Sequence, residues 1–436
     1  MIAAADAQQR DAARPADVIA CRECDLLQRE QPLPPKGVLR CVRCRAPLYG
    51  RQTGGLERSL AYALAALVLF VLANVFPIVG LSVNGDLVET TLLGSVRVLY
   101  RDGMWPLAGL VLITTFVMPG LQILAIVWLL APLQFGRRPY CADVVFRALH
   151  VARSWGMTEV LILGLLVALV KLAHIASVVP EVALWSFGAL MLMLAAAAAT
   201  FDARALWARL EGRHDSAASG FAARTAAGCG RCVCHDCGLM SEPLAPAQQA
   251  HGAHALRCAR CGSRLHLRKP NSLARTWAFL LAAMVLYLPA NLLPVMHTSS
   301  LFGAQKDTIM SGVVYLWTSG SWPLAILVFV ASIAVPMLKI LAIGFLATTA
   351  QLRSTWQPQQ RTRIYRLVEL VGRWSMLDIY VIAILTALVQ FSALATITAG
   401  PAAIAFGAVV VLTMLAALSF DPRLIWDTRQ DYGKTP

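Results

Sequence analysis

Charge is scarce in this sequence, and negative charge is scarcer than positive. Of the 436 residues, 14% are charged, with 24 Asp or Glu against 38 Lys or Arg. Typical globular domains carry about 25% charged residues. Hydrophobic residues make up 58% of the chain. This composition excludes a disordered chain and a disulfide-rich secreted domain, and it indicates that much of the apolar surface faces lipid.

Signals of several common protein classes are also missing. The first twenty residues contain no apolar core, so no cleavable signal peptide is expected. Gly433-Lys434-Thr435 lacks the upstream glycine of a phosphate-binding loop, so nucleotide hydrolysis is not expected to supply energy. Outside two short polar clusters the only cysteine is Cys141. No catalytic residues are predicted, and we do not expect an enzyme.

The sequence consists of two similar halves. Motifs of the first half recur in the second at one constant offset, which becomes slightly larger for the motifs near the end of each half. Two constant offsets over several rare residue types indicate a duplication. The matched motifs are Cys41-x-x-Cys44 with Cys258-x-x-Cys261, Asn74 and Pro77 with Asn291 and Pro294, Trp105-Pro106 with Trp322-Pro323, Pro119 with Pro336, and Trp155-x-Met157-x-Glu159 with Trp374-x-Met376-x-Asp378.

Each half has a Cys-rich polar segment followed by four apolar runs. Most runs approach or exceed the roughly 20 residues that span a bilayer as a helix. They cover 59–79, 106–131, 157–179 and 182–200 in the first half, and 273–296, 322–348, 376–398 and 402–419 in the second. We therefore predict an all-α polytopic membrane protein with two tandem four-helix transmembrane units, eight helices in total.

Smaller elements complete the predicted plan. Turn signals predict an extracytoplasmic β-hairpin in each half, over 78–91 around Asn84-Gly85 and over 295–310 around Gly303. The predicted domains are an N-terminal zinc ribbon over 1–58, the first transmembrane unit over 59–210, a second zinc ribbon over 211–270, the second transmembrane unit over 271–427 and a C-terminal tail over 428–436.

The distribution of Lys and Arg predicts the orientation in the membrane. With both Cys-rich segments placed in the cytoplasm, 33 of the 38 Lys and Arg residues fall in cytoplasmic segments. Arg97, Arg101 and Lys306 fall in outside loops, and Lys171 and Lys339 lie within spans. The positive-inside rule therefore predicts that both termini and both Cys clusters are cytoplasmic. Membrane topology, rather than a nucleic-acid partner, explains the net charge of +14.

Two clusters of paired cysteines have the spacing of metal sites. Four thiolates in this pattern suit one tetrahedral Zn²⁺ per cluster, and rubredoxin-like Fe is the less favoured alternative. An extra pair, Cys229 and Cys232, is interpreted first as surface thiols, with a redox dithiol or alternative ligands as the other possibilities. Because four thiolates fill each site, no histidine is given a role. The predicted ligands are Cys21, Cys24, Cys41 and Cys44 in the first cluster and Cys234, Cys237, Cys258 and Cys261 in the second.

Four ionisable side chains fall inside predicted spans, where a charge is costly and marks a functional candidate. Lys339 and Asp378 are predicted at similar depth on neighbouring helices, so they can pair. Glu159 is the first-half equivalent of Asp378, whereas Gln122 stands where the second half has Lys339. The fourth is Lys171. The alternative interpretation is that the two acids face lipid headgroups and that Lys171 extends to the interface.

Together these features resemble the paraquat-inducible protein A family of Gram-negative inner membranes. The resemblance rests on the paired Cys-x-x-Cys cluster ahead of four helices, the Trp-Pro elements, Pro336-x-x-Lys339 and the duplication, and it covers nearly the whole chain. The sequence departs from the family in its extra pair, Cys229 and Cys232, and in lacking a lysine at position 122. The second departure puts equal activity of the two halves in doubt.

The resemblance implies a function that composition alone does not. Such proteins are similar to the inner-membrane partners of MCE-domain (mammalian cell entry) proteins, which form periplasmic tunnels for lipid. On that view the chain loads phospholipid into such a tunnel or extracts it, with Lys339 meeting the lipid phosphate and Asp378 tuning its charge. Two alternatives remain: a membrane redox or metal-stress protein acting through its Cys clusters, and a scaffold that recruits cytosolic partners.

Overall fold

Helices dominate the computed structural model, which describes residues 18–31, 34, 37–50, 55–83, 86–156, 160–162, 164–166, 177–211, 224–241, 256–300, 303–320, 322–372, 380–381, 390–391 and 395–427. Within these ranges six helices are long and apolar enough to cross a membrane: Gly55–Val75, Trp105–Gln134, Val182–Thr200, Ser272–Leu292, Ala325–Gln351 and Pro401–Ser419. The helices are α1 (Gly55–Val75), α2 (Leu92–Arg101), α3 (Trp105–Gln134), α4 (Ala142–Trp155), α5 (Val182–Thr200), α6 (Ala203–Glu211), α7 (Ser272–Leu292), α8 (Ile309–Thr318), α9 (Trp322–Phe329 continuing through Val335–Gln351), α10 (Pro358–Gly372) and α11 (Pro401–Ser419).

The six long helices correspond to the first, second and fourth predicted spans of each half. The third predicted spans, 157–179 and 376–398, lie largely outside the described residues. Within them, the described residues 160–162, 164–166 and 380–381 are helical. The described residues 177–179, 390–391 and 395–398 instead form strands, so the predicted C-terminal ends of both spans are wrong: the chain there adds strands to the hairpin sheets. The count of eight helices therefore stays a prediction.

The second long helix of each half contains a π-helical turn at the same place. The turns cover Ile113–Val117 in α3 and Val330–Ala334 in α9, and each lies just before a proline, Pro119 or Pro336. Proline removes a backbone donor and clashes with the carbonyl four residues earlier, so the helix must widen or kink there. The Thr115 hydroxyl donates to the carbonyl four residues before it, at 2.7 Å. The two halves therefore share the π-helical turn as well as the regular helices.

Short antiparallel sheets follow the first long helix of each half. The predicted hairpins correspond to strand Val79–Val83 with strand Asp86–Thr90 and to strand Met296–Ser300 with strand Gly303–Asp307, and their turn residues 84–85 and 301–302 lie outside the described ranges. Each hairpin gains a strand from later in its half, because Ser177–Pro180 pairs with Val79–Val83 and Ala395–Ala399 pairs with Met296–Ser300. The strands are β1 (Val18–Ala20), β2 (Leu27–Arg29), β3 (Val38–Arg40), β4 (Pro47–Gly50), β5 (Val79–Val83), β6 (Asp86–Thr90), β7 (Ser177–Pro180), β8 (Met296–Ser300), β9 (Gly303–Asp307), β10 (Gln390–Phe391) and β11 (Ala395–Ala399).

The long helices pack in equivalent pairs, α1 against α5 and α7 against α11. Small side chains line the buried face of α1, where Ala63, Ala66 and Ala73 are fully buried. Small residues allow two helix backbones to approach closely. The halves also meet each other in one apolar core. There the Tyr380 hydroxyl of the second half donates to the Thr114 hydroxyl of the first, at 2.9 Å.

The N-terminal cysteine segment packs on the second half of the chain. This first module, the described residues of 18–50, contains the β1–β2 and β3–β4 hairpins. Its cysteines share an apolar cluster with Leu346 of α9 and with Phe420 and Trp426 beyond α11. The Arg43 guanidinium lies 4.5 Å from the centre of the Trp426 ring. The first module therefore packs mainly on the second repeat, and it touches the first repeat where Glu30 pairs with Arg204 of α6 at 3.3 Å.

The second cysteine segment packs on the first half. This second module, the described residues of 224–267, shares an apolar cluster with Leu56 of α1, Phe146 of α4 and Trp207 of α6. It directly follows α6 in the chain, so it folds back onto the unit that precedes it. The two modules are thus crossed, and each one covers helices of the other repeat.

Candidate functional site

Eight cysteines form two buried tetrads. The four Sγ atoms within each tetrad all lie within 4.8 Å of one another. Each tetrad takes one Cys-x-x-Cys pair from each of two neighbouring chain segments. The shortest Sγ–Sγ distances are 3.5 Å for Cys21–Cys44, 3.5 Å for Cys24–Cys41, 3.4 Å for Cys234–Cys261 and 3.5 Å for Cys237–Cys258.

These distances fit a bound metal ion and not a disulfide. A disulfide would bring two sulfur atoms to about 2.05 Å, and all eight cysteines are free. A tetrahedral ion with Zn–S bonds of about 2.3 Å would hold its sulfur ligands about 3.8 Å apart. The observed 3.4–3.5 Å separations are close to that value. Each tetrad is therefore positioned to bind one metal ion.

All four Cys-x-x-Cys turns share one backbone conformation. The residue after the second cysteine of each pair adopts a positive φ: Asp25 at 62° and Arg45 at 62° in the first module, and Gly238 at 76° and Gly262 at 66° in the second. This left-handed conformation is easy for glycine and costs other residues on the order of 1–2 kcal/mol. The same turn is thus built from glycine in one module and from strained side chains in the other.

Glycine in the second module also makes room for arginines from elsewhere. A Cβ at Gly262 would lie 2.5 Å from Arg147 Nη1, and a Cβ at Gly238 would lie 2.7 Å from Arg22 Nη2. Arg147 of α4 donates to the Cys261 carbonyl at 3.0 Å. This hydrogen bond ties the second metal-binding module to the first half.

The first module is tied to the second half in a comparable way. Arg366 of α10 makes a paired contact with the Glu23 carboxylate, with Nε 2.8 Å from Oε2, and it also donates to the Cys44 carbonyl at 2.9 Å. Burial alone would lower the pKa of the Arg366 guanidinium, but the hydrogen bonds to Glu23 and the charges of Glu23 and nearby cysteines together outweigh it and raise that pKa. The carboxylate and the guanidinium are about one quarter exposed, with relative accessibilities of 23% and 27%.

An ion-pair network centred on the buried Asp25 connects the two modules to the segment after α11. Asp25 is 1% exposed, and its main-chain carbonyl accepts a hydrogen bond from the Ala226 N–H at 3.0 Å. Its side chain lies 3.3 Å from Arg268, which also binds Asp427 at 2.7 Å. Burial raises the pKa of Asp25, against the effect of Arg268. The network fixes the modules relative to each other.

Lys339 is buried within α9, with 2% of its surface exposed. Its Nζ donates to the Thr413 hydroxyl of α11 at 3.0 Å. Gly372, the last residue of α10, lies beside it, since a Cβ there would be 3.6 Å from Nζ. Taking an ammonium out of water costs several kcal/mol unless polar groups compensate. A lysine kept at this depth is a functional candidate by that argument.

Lys339 lines a cavity of about 300 Å³ between the two halves. That volume is at the lower end of the range for ligand pockets. Arg22, His150, Arg153 and Asp236 line the other side of the cavity, and Arg153 donates to the Ala198 carbonyl at 2.8 Å. The second half contributes Lys339, Tyr365, Val368, Glu369, Gly372, Met414, Ala417 and Leu418. Both repeats and both modules therefore form its wall, and cationic groups predominate among the charged ones.

The structure describes one of the four predicted intramembrane sites. Asp378, Glu159 and Lys171 lie outside the described residues, and the pairing of Lys339 with Asp378 stays a prediction. The repeat equivalent of Lys339, Gln122, is 8% exposed. A Cβ at Gly156, where α4 ends, would lie 3.4 Å from Gln122 Oε1. The first half thus has the neutral amide of Gln122 beside the end of α4, whereas the second half has Lys339 beside the end of α10.

Several cavity residues have no equivalent among the predictions. Arg22, His150, Arg153 and Asp236 come from three separate chain segments, and no spacing in the sequence links them.

The surface-thiol interpretation is wrong for Cys232, which is 1% exposed and packs in the second module. Its N–H donates to the Ser241 hydroxyl at 2.8 Å. Cys229 is partly exposed.

Helices long enough to cross a membrane, arranged in two repeats with a cysteine tetrad each, define a multi-pass membrane protein with two candidate metal sites. The sequence profile described as "Paraquat-inducible protein A" matches residues 56–211 and 273–430, one match per repeat. The chain belongs to this family.

Curated relatives match almost the full chain. The chain is similar to "Intermembrane transport protein PqiA" of Escherichia coli K12, with 33% identity over 95% of this chain and 96% of the relative. It is also similar to "Lipophilic envelope-spanning tunnel protein A" of the same organism, with 30% identity over 95% and 92%. "Probable intermembrane transport protein" of Haemophilus influenzae is 28% identical over 94% and 96%. No solved structure matches the chain significantly.

Proposed function

We propose that the chain is an inner-membrane component of an intermembrane phospholipid transport system, which loads or extracts lipid for a periplasmic MCE-domain tunnel. The names of two relatives describe intermembrane transport, and a third name describes an envelope-spanning tunnel. Neither description is of an enzyme, which agrees with the lack of predicted catalytic residues. The observation that carries the proposal is the buried Lys339 in the wall of a cavity shared by the two halves.

The chemistry of the cavity favours an anionic headgroup. Lys339 supplies a compact positive charge with three donors, and Arg153 supplies a planar guanidinium from the opposite half. Charge-assisted hydrogen bonds from such groups to phosphate are stronger than neutral ones. A cavity of about 300 Å³ can take a headgroup, while the acyl chains would need to remain in lipid.

The remaining polar residues have supporting roles in this proposal. Asp378 on the third span of the second half balances the charge of Lys339, and the pair can exchange a proton. Glu159 and Lys171 supply the corresponding polar groups of the first half. Since no phosphate-binding loop is present, the energy comes from an ion gradient, a partner or the lipid gradient itself.

Zn²⁺ is the proposed metal of both tetrads, because four thiolates in a closed tetrahedral arrangement are typical of structural zinc. Both modules and both termini are proposed to be cytoplasmic, which follows from the distribution of Lys and Arg. The sheets formed by β5–β7 and β8–β11 then lie on the periplasmic side, where an MCE-domain partner would meet the chain.

The test is to purify the wild-type chain and the Lys339→Ala variant in mild detergent and to identify bound phospholipid by mass spectrometry. Transfer of labelled phospholipid to the MCE-domain partner is measured in parallel. We expect Lys339→Ala to lose both the bound lipid and the transfer, while both cysteine tetrads keep their metal ions. Wild-type transfer in this variant would exclude the proposed site.

A further inference from the structure

Three side chains that could ligate a metal lie close together outside the cysteine tetrads, and two of them, His150 and Asp236, line the cavity. They are His150 on α4 and His235 and Asp236 in the second module. His235 and Asp236 lie between the two cysteines of the pair Cys234-x-x-Cys237, so their backbone is fixed by the metal-binding turn. One ligand atom from each of the three side chains can be chosen so that all three lie within 4.8 Å of one another.

Both imidazoles converge on the same carboxylate oxygen. His150 Nε2 lies 3.6 Å from Asp236 Oδ1, and His235 Nδ1 lies 3.9 Å from that atom. An ion with bonds of about 2.0–2.2 Å to nitrogen and oxygen would hold its ligands about 3.4 Å apart in a tetrahedral arrangement. The two measured distances exceed that value by a few tenths of an ångström. Small side-chain rotations of His150 and of the exposed His235 would close the difference.

The surroundings of Asp236 match those of a metal ligand. Its second oxygen, Oδ2, accepts a short hydrogen bond from the Ser263 hydroxyl, which fixes the carboxylate. Carboxylates that bind metals are commonly held by such a second hydrogen bond. The nearby Arg22 donates to the main-chain carbonyl of Asp236 at 3.3 Å, not to its carboxylate.

We propose that His150, His235 and Asp236 form a third metal site, for Zn²⁺ or a similar divalent transition-metal ion. Two imidazoles and a carboxylate are a ligand set that such ions accept, and three protein ligands leave a fourth position for water or another oxygen. The ion links α4 of the first half to the second module beside the cavity. This site does not depend on the proposed transport function.

The experiment counts metal ions per chain on the tag-free, full-length protein. The protein is dialysed against Zn²⁺ and then against metal-free buffer with a weak chelator, and zinc is measured by mass spectrometry at each step. We expect three ions after loading, and two after chelation, because a site with an open position exchanges its ion more readily than four thiolates.

Variants assign the exchangeable ion. His150→Ala lies outside both modules, so we expect it to load two ions and keep both after chelation. His297→Ala, a histidine on β8 away from the cluster, is the matched control and should load three. Asp236→Asn provides a second variant within the cluster and should weaken the third site at least about tenfold. A wild-type chain that loads two ions, or a His150→Ala variant that still loads three, would overturn the proposal.

Discussion

The two halves of the chain share a frame and differ in their polar interior. Both have a π-helical turn before the proline of the second long helix, a short sheet after the first, and a cysteine tetrad. Yet Lys339 occupies the position where the first half has Gln122. The comparison teaches that the helices, sheets and tetrads stayed alike after the duplication, whereas only the second half has a buried cation at this position.

The largest expected effect comes from replacing Lys339, with a substitution at Gln122 as the comparison. Lys339→Gln should reduce phospholipid transfer by about ten- to a hundredfold, since a hydrogen bond to a charged group contributes about 1.5–3 kcal/mol. Gln122→Ala should leave transfer within about twofold. The measurement is the rate of labelled phospholipid transfer for both variants, normalised to folded protein.

Lys339→Arg is the control that preserves charge but changes shape. It should retain more transfer than Lys339→Gln if the positive charge matters most. Equal loss in Lys339→Gln and Gln122→Ala would show that the halves are functionally equivalent, and our comparison of them would fail.

The crossed modules predict a second large effect, which is local. Cys44→Ser should remove the metal of the first module and increase hydrogen exchange in α10, to which it is tied through Arg366. Cys261→Ser should instead increase exchange in α4, to which it is tied through Arg147. Structural zinc contributes on the order of 10 kcal/mol to the folding of small modules, so the affected module should lose most of its protection.

Hydrogen–deuterium exchange with mass spectrometry distinguishes the two patterns. Each variant serves as the control for the other, because both lose one metal site of the same kind. If Cys44→Ser loosened α4 and Cys261→Ser loosened α10, each module would act on its own repeat, and the crossed arrangement would not hold in solution.

Much of the frame could be predicted from the sequence, because it depends on local patterns. Apolar runs long enough to cross a bilayer indicate spanning helices, and Asn84-Gly85 indicates a hairpin turn between strands. The four cysteines of each tetrad follow from spacing alone. The π-helical turn was not predicted, although a proline at Pro119 and at Pro336 marked the position.

The cavity could not be predicted, because it depends on contacts between distant segments. Arg22 lies in the first module and His150 lies on α4, far apart in sequence, and the crossed packing of the modules brings both to one wall. Lys339 was found because a charge inside an apolar run is conspicuous. His150 and Arg153 lie in a polar segment where basic residues are common, and nothing local distinguishes them.

The glycines of the second module predict a smaller effect on stability. Gly262→Ala should lower the melting temperature more than Gly136→Ala, although both glycines have a φ near 66°. A Cβ at Gly262 meets Arg147 at 2.5 Å, whereas a Cβ at Gly136 meets nothing within 4 Å. Both variants carry about 1–2 kcal/mol of backbone strain. Gly262→Ala must in addition displace the Arg147 side chain. Equal shifts in a thermal melt of the metal-loaded protein would mean that Arg147 contributes nothing.

The smallest expected effect tests the reverse substitution in the first module. Arg45 has a φ of 62° and an exposed side chain, so Arg45→Gly removes backbone strain without removing a buried contact. The gain of about 1–2 kcal/mol is partly offset, because glycine gives the unfolded chain about 0.5–1 kcal/mol more entropy to lose. We expect a small net stabilisation, seen as a slightly higher metal-loaded melting temperature. A lower melting temperature would mean that the Arg45 side chain stabilises the module by more than the backbone strain costs. The turn with arginine in the first module would then be no less stable than the same turn built with glycine.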